Sequence, residues 1–227
     1  MRTEPGSLEV GYHVNRKPSP PLVLASGSPR RRDLLGRLGV PFQVAISDVS
    51  ETADPALTPQ EQAVALARRK ARAVAHRLDS GLVLGADTIV VLDGDLLGKP
   101  RDDSDAARML RALSGHEHRV ITGIALIDAS SGEEHSSSVS TLVRFRALSD
   151  EEIAAYVTSG EPCDKAGAYA IQGLGADMVA GFAGCFTNVV GLPLCETARV
   201  LKETGLSVAT PAPVCRLPDG SPCPRLV

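Results

Sequence analysis

From Leu22 onward, short apolar runs alternate with amphipathic stretches, and this alternation predicts strands and helices in turn. Leu22-Val23-Leu24-Ala25 reads as a buried strand, broken by the turn-forming Ser26-Gly27-Ser28. A helix follows, with Ser28 as N-cap, Pro29 at its first position and Leu34, Leu35 and Leu38 as its core stripe, and Gly39-Val40-Pro41 ends it. Phe42 to Ile46 has the period of a second strand. After a polar loop, Thr58-Pro59-Gln60-Glu61 is a capping box opening a long helix to about Leu78, with Val64, Leu66, Ala67, Ala71, Val74 and Leu78 on its apolar face and Lys70 nearby. Leu82 to Leu92 is the most apolar segment and reads as a central strand, turned back by Asp93-Gly94 through Leu96-Leu97.

Ser104 is the predicted cap of a helix through about Leu113, stopped by Ser114-Gly115. His118 to Ile127 and Val139 to Phe145 form a predicted hairpin around Asp128 to Gly132, and Ser149-Asp150-Glu151-Glu152 caps a helix to about Val157. Ser159 to Gly173 carries too many glycines and charges for a plain core element and reads as a functional loop. Met178 to Phe182 is a further strand, and Val189 to Pro193 leads into a last helix through about Lys202. Strand and helix alternate early while the middle is hairpin-like, which implies an α/β fold with a mixed sheet. Met1 to Pro21 reads as a flexible extension, 22–206 as the folded domain, and Ser207 onward as a Pro-rich tail.

Composition narrows the function. The 227 residues carry a net charge of −3, so there is no bulk attraction to nucleic acid or to an anionic membrane, and any anion site must be local. No apolar run approaches the ~20 residues of a membrane span. The N-terminus lacks the pattern of a signal peptide, so the expected location is the cytosol. Five cysteines without a C-x-x-C pair argue against a disulfide framework and a structural zinc site. The absence of tryptophan argues against a base-stacking platform for single-stranded nucleic acid.

The chemistry lies in three features. Arg30, Arg31 and Arg32 occupy the first turn of the first helix, where the helix dipole disfavours cations by ~0.3–1 kcal/mol each. Cations placed there beside a glycine turn suit reception of an anion such as phosphate. Successive helix residues point about 100° apart, so all three arginines cannot face one ligand; Arg30 and Arg31 are assigned to the site and Arg32 to solvent. Second, Asp87 lies inside the most apolar strand, where a carboxylate is costly unless paired, hydrogen-bonded or metal-bound. Third, Glu51 could join Asp87 on a hard divalent cation, while Lys70 and Lys99 could neutralise phosphates. Gly98-Lys99-Pro100 is not a P-loop, Ala25-Ser26-Gly27-Ser28-Pro29 is not a nucleophile elbow, and His116 and His118 have no third ligand for zinc.

Six ordered stretches carry a resemblance: Leu24 to Arg31, Gly85 to Val90, Gly98-Lys99-Pro100, Ser114 to Gly123, Asp164 to Gly173, and Val190 to Leu194. Together they closely resemble the Maf family of nucleoside triphosphate pyrophosphatases, over about Leu22 to Leu206. The resemblance implies a fold like that of the inosine triphosphate pyrophosphatases, an elongated mixed sheet flanked by helices, with the nucleotide in a cleft between two lobes. It implies hydrolysis of a nucleoside triphosphate to monophosphate and pyrophosphate, dependent on a divalent metal, Mg2+ or Mn2+, in a homodimer. By it, Asp87 matches the catalytic proton acceptor and, with Glu51, a metal-holding position; Ser26, Arg30, Arg31, Lys70 and Lys99 match phosphate-handling positions. Arg30, Thr88 and Gln172 match the branch acting on dTTP and UTP, with the 7-methyl-GTP branch as the alternative. A non-enzymatic regulator of septum formation is the alternative from another class, since the family's name reflects an effect on cell division. A glutamine amide offers both a donor and an acceptor, which suits the imide edge of uracil or thymine.

Overall fold

The computed structural model describes residues 20–209, 215 and 221. The predicted N-terminal extension, apart from its last two residues, and most of the predicted tail lie outside them. The chain runs β1 (Leu22–Leu24), α1 (Pro29–Gly36), β2 (Phe42–Val44), α2 (Pro59–Ala75), β3 (Leu82–Leu92), β4 (Asp95–Leu97), α3 (Asp103–Leu113), β5 (Glu117–Asp128), β6 (Glu134–Phe145), α4 (Asp150–Thr158), β7 (Val179–Ala183), α5 (Phe186–Val190) and α6 (Leu194–Glu203). Among the described residues, seven strands make one sheet in the order β2-β1-β3-β5-β6-β7, with β4 attached to β3. β1 pairs in parallel with β2 and β3, and the remaining pairs are antiparallel, so the sheet is mixed as expected.

Sequence and structure agree closely at the caps. Ser28 accepts from the Arg31 amide at the start of α1, and Thr58 with Glu61 and Ser149 with Glu152 form complete capping boxes. The differences have physical causes. α3 is capped by Asp102, whose carboxylate accepts from the Asp105 amide, and not by Ser104, which lies within the helix. β6 begins at Glu134, five residues before the expected Val139. Its early half is polar, Glu134-His135-Ser136-Ser137-Ser138, and pairs with β5, while β7 covers only Leu142 to Phe145 on its other side. Pairing with a long neighbour overrides weak strand propensity there, and hydroxyl side chains suit an edge left open. α2 ends at Ala75, with Leu78 in a tightened turn that donates to the Ala75 carbonyl. The glycine-rich stretch forms short 3-10 turns at Glu161–Asp164, Ala166–Ala168 and Gly173–Met178.

α2 lies directly on the sheet. A side chain at Gly85 would meet the Ala67 carbonyl oxygen at 2.3 Å, and one at Gly123 would meet the Ala63 carbonyl carbon at 2.3 Å. Ala63, Ala67 and Ala71 are fully buried on the helix side of this contact. Two glycines on adjacent strands beneath a row of alanines therefore let backbone meet backbone. On the opposite face, Leu24, Leu35, Leu84, Leu110 and Leu126 anchor the larger core.

The expected consequence is that Gly123→Ala lowers the unfolding free energy by about 1–3 kcal/mol through overpacking. Gly36→Ala, at a position with nothing within 4 Å of an added side chain, should be neutral or stabilising by about 0.5–1 kcal/mol. Urea unfolding of the two variants beside the parent checks both; an unperturbed Gly123→Ala would mean that α2 does not press on the sheet.

Candidate active site

The sheet opens where β3 is most polar. One edge of β3 pairs with β5 from Leu82 to Val91. The other edge pairs with β1 over Leu82 to Leu84 and with β4 over Val90 to Leu92. Between them, Gly85 to Ile89 have no strand partner on that edge among the described residues. Asp87 and Thr88 point to opposite faces of the strand, and the gap lets both reach one cleft. This cleft has a volume of about 360 Å³ and is lined by Arg30, Arg31, Glu51, Lys70, Asp87, Thr88, Lys99 and Gln172, among others. That volume falls in the range of small-molecule sites.

On the α2 face, Lys70 joins two carboxylates. Its Nζ donates to Asp87 Oδ1 at 2.5 Å and to Glu51 Oε1 at 2.6 Å, with Lys70 and Asp87 each 7% exposed. Lys99 Nζ donates to the other Glu51 oxygen at 3.2 Å. Burial acts to raise the Glu51 carboxyl, but the hydrogen bonds and charges of Lys70 and Lys99 outweigh it and hold it at about 2. Among the described residues, no three His, Cys, Asp or Glu side chains gather into a metal cage. Glu51 and Asp87 nevertheless converge on one positive charge in a cleft open to solvent. Two hard carboxylate donors, completed by water and phosphate oxygens, are the ligand set that Mg2+ uses, so these residues fit such an ion.

On the other face, Arg31 is held in place. Its Nε donates to the Gly191 carbonyl at 2.9 Å, Nη1 to Ser26 Oγ at 3.3 Å and Nη2 to Thr88 Oγ1 at 3.1 Å. Gly191 follows α5 at φ +125°, a conformation costly for other residues, and this aims its carbonyl at the guanidinium. Partial burial lowers the Arg31 pKa and the Asp87 charge opposes the shift. Behind Thr88 runs a buried polar chain. Thr88 and Thr122 hydroxyls lie 2.9 Å apart, Thr122 donates to the Asn188 carbonyl at 2.9 Å, and Asn188 Nδ2 donates to the Val120 carbonyl and to Thr141 Oγ1, both at 2.9 Å. Every polar atom of the Asn188 side chain is used, since its Oδ1 accepts from the Thr122 amide at 3.0 Å.

The structure thus brings Arg30, Arg31, Glu51, Lys70, Asp87, Thr88, Lys99 and Gln172 to one cleft. Ser26 is 7% exposed and does not line it; its hydroxyl accepts from Arg31 and from the Ser28 amide. Arg32 is exposed, does not line the cleft and approaches Asp33, as expected for the solvated member of the three. Sequence reasoning did not single out Asp164, which lies 3.7 Å from Arg30, or the Thr122 and Asn188 chain. The signal for Asn188 was a polar residue inside Phe186 to Val190, a run otherwise built for burial. His118 is structural: it is 2% exposed, stacks edge-on against Phe145 and Tyr169, and shares a hydrogen bond of 2.8 Å with the Tyr169 hydroxyl.

The family model described as Maf-like protein matches residues 21–204. A protein of Pelotomaculum thermopropionicum named dTTP/UTP pyrophosphatase is 52% identical over 187 residues, covering 82% of this chain and 98% of that relative. Proteins of the same name from Syntrophotalea carbinolica, 50% identical over 86% of this chain and 90% of the relative, and Geobacter sulfurreducens, 52% identical over 81% and 96%, are similar throughout. No helix among the described residues is long and apolar enough to cross a membrane.

Burial lowers the His118 pKa to about 4. The unfolded chain takes up this proton near pH 6.5 and the native protein resists it, so stability falls as pH drops from about 6.5 towards 4 and levels off below. His118→Gln should remove a contribution to that slope on the order of 2–3 kcal/mol, read as the change in urea midpoint between pH 7 and pH 4.5. Equal slopes in parent and variant would contradict the assignment of a neutral buried imidazole.

Proposed function

Because this chain belongs to the Maf-like protein family, we propose that it hydrolyses dTTP and UTP to the nucleoside monophosphate and pyrophosphate. The observation that carries the chemistry is the pair of carboxylates, Asp87 and Glu51, joined by Lys70 at the edge of a cleft whose other wall presents Arg30 and Arg31. Arg30 and Lys99 receive the phosphates by exchanging their present carboxylate partners for phosphate oxygens, and Arg31 offers the guanidinium protons that its three bonds leave free. Arg31 is held rigidly by Ser26, Thr88 and Gly191, so its donors are already aimed when charge builds on the phosphates.

Asp87 accepts the proton of the attacking water, whose oxygen bonds to the α-phosphorus. The α–β P–O bond breaks and pyrophosphate leaves with its electron pair. Lys70, itself oriented by Glu51, fixes the direction of the Asp87 carboxylate. Glu51 and Asp87 are also the residues that would hold Mg2+ or Mn2+, which when bound polarises phosphate oxygens as a Lewis acid. Gln172 at the cleft rim meets the base, with Arg30 and Thr88 as its companions in substrate choice. The substrate is a free nucleotide rather than nucleic acid or a membrane component, and the expected setting is the cytosol, as a homodimer.

The test is release of pyrophosphate from dTTP, UTP, CTP and 7-methyl-GTP with Mg2+ or Mn2+ present. Preference for dTTP and UTP with pyrophosphate as product is expected; cleavage of 7-methyl-GTP alone, or release of orthophosphate alone, would sink the reading. Asp87→Asn, which leaves Lys70 its bond to Glu51, should fold with lowered stability, keep nucleotide binding measurable by calorimetry, and lose about 10²–10⁴-fold in kcat. A variant that turns over at the parent rate would remove Asp87 from the proton transfer.

A further inference from the structure

Gln172 stands at the cleft rim with an exposed side chain that makes no capping bond to the 3-10 turn it opens. Its position is therefore set by the backbone on either side. Upstream, the Ala170 amide donates to the Tyr156 hydroxyl at 3.2 Å. Downstream, the Leu174 amide donates to Glu161 Oε2 at 3.2 Å and the Gly175 amide to Glu161 Oε1 at 3.3 Å. The two anchors are themselves joined, because Tyr156 donates its hydroxyl proton to Glu161 Oε1 at 3.0 Å. Lys165, on the cleft wall, ties the Glu161 backbone down by donating to its carbonyl at 2.5 Å. One carboxylate and one phenol thus clamp both flanks of Gln172, and neither Tyr156 nor Glu161 lines the cleft.

The chemistry of this clamp is specific to a carboxylate. Glu161 accepts three hydrogen bonds and uses both oxygens, and a carboxamide has only one acceptor oxygen. A glutamine there would set an NH2 group against the Leu174 amide, or against both the Gly175 amide and the Tyr156 hydroxyl. Donor would face donor. Burial raises the Tyr156 pKa and the Glu161 charge adds to the shift, so the phenol stays a donor at neutral pH.

We infer that Glu161 is a positioning residue for base selectivity, holding the Gln172 backbone so that its amide meets the pyrimidine edge in one register. This rests on the reading above that Gln172 meets the base. Uracil and thymine present an N–H donor between two carbonyl acceptors, whereas cytosine presents a ring acceptor beside an amino donor. A glutamine amide carries both a donor and an acceptor and can serve either base by sliding along the edge, its oxygen accepting from the ring N–H of uracil in one place and from the amino group of cytosine in the other. It rejects cytosine only when its place against the base is fixed, so the discrimination resides in the clamp as much as in Gln172.

The experiment compares kcat and KM for UTP and CTP in the parent, Glu161→Gln, Tyr156→Phe and Gln172→Ala, with unfolding midpoints measured in parallel. Glu161→Gln should reduce the UTP-to-CTP ratio of kcat/KM about tenfold, most of it through KM. Tyr156→Phe, which keeps the ring and deletes only the hydroxyl bonds, should move the ratio in the same direction, and it serves as the reporter where Glu161→Gln fails to fold. Equal loss towards UTP and CTP, or an unchanged ratio in both variants, would overturn the inference. Gln172→Ala separates the two readings. If it collapses the ratio while the clamp variants leave it intact, the inference fails alone; if it leaves the ratio unchanged, the assignment of Gln172 to the base fails and takes the inference with it.

Discussion

Lys70 can reach Asp87 because the backbone of α2 rests on the backbones of β3 and β5. Ala67 and Ala71 lie over Gly85, Ala63 lies over Gly123, and Gly123 is the register partner of Asp87 in β5. A helix stood off by ordinary side chains at these strand positions would carry Lys70 away from the carboxylate. The pair that results is buried on both sides, a setting in which neither charge is tolerable without the other. Helix packing, strand register and site charge are thus one constraint. Glycine at two sheet positions and alanine at three helix positions are its signature in the sequence.

A second constraint decides where on the sheet the site falls. β1 stops pairing with β3 at Leu84 and β4 does not pair with it until Val90, which leaves five residues without a strand partner on that edge, among those described, in the middle of the most apolar element. A closed central strand would bury Asp87 and Thr88 under different layers. At the gap they serve one cleft from two faces, Asp87 with Lys70 of α2 and Thr88 with Arg31. The turn after β1 and the start of α1 border the same gap, so the first strand and helix bring their arginines to the place where β3 is open.

These two constraints also explain how much could be read from the sequence. Local signals were legible: the caps at Ser28, Thr58 and Ser149, the apolar run of β3, the anomaly of Asp87 within it, and the crowded cations after Ser28. Of the residues they marked, Asp87, Arg30 and Arg31 do share one cleft. What stayed hidden depends on partners distant in sequence. The polar start of β6 is a strand because β5 pairs with it, and Asp102 outcompetes Ser104 as a cap. Ser26 looked like a phosphate contact, but its hydroxyl faces Arg31 in this fold, a geometry that turn composition does not encode. Glu161 and Asn188 act through hydrogen bonds to segments whose proximity exists only after folding.

The charge balance of the cleft follows from the same arrangement. Five cations, Arg30, Arg31, Lys70, Lys99 and Lys165, crowd into it although the chain as a whole carries a net charge of −3. Each already has an oxygen partner: Asp164 for Arg30, Ser26, Thr88 and the Gly191 carbonyl for Arg31, Asp87 and Glu51 for Lys70, Glu51 for Lys99, and Asp164 with the Glu161 carbonyl for Lys165. The folded cleft is therefore neutralised from within, which removes the repulsion that five unscreened cations would impose. An incoming anion must replace the carboxylate partners, and a single weak charge gains too little from one exchange to do so. A triphosphate can exchange several at once, so an anion of that size and charge is favoured over the smaller anions of its surroundings without any contact to its base.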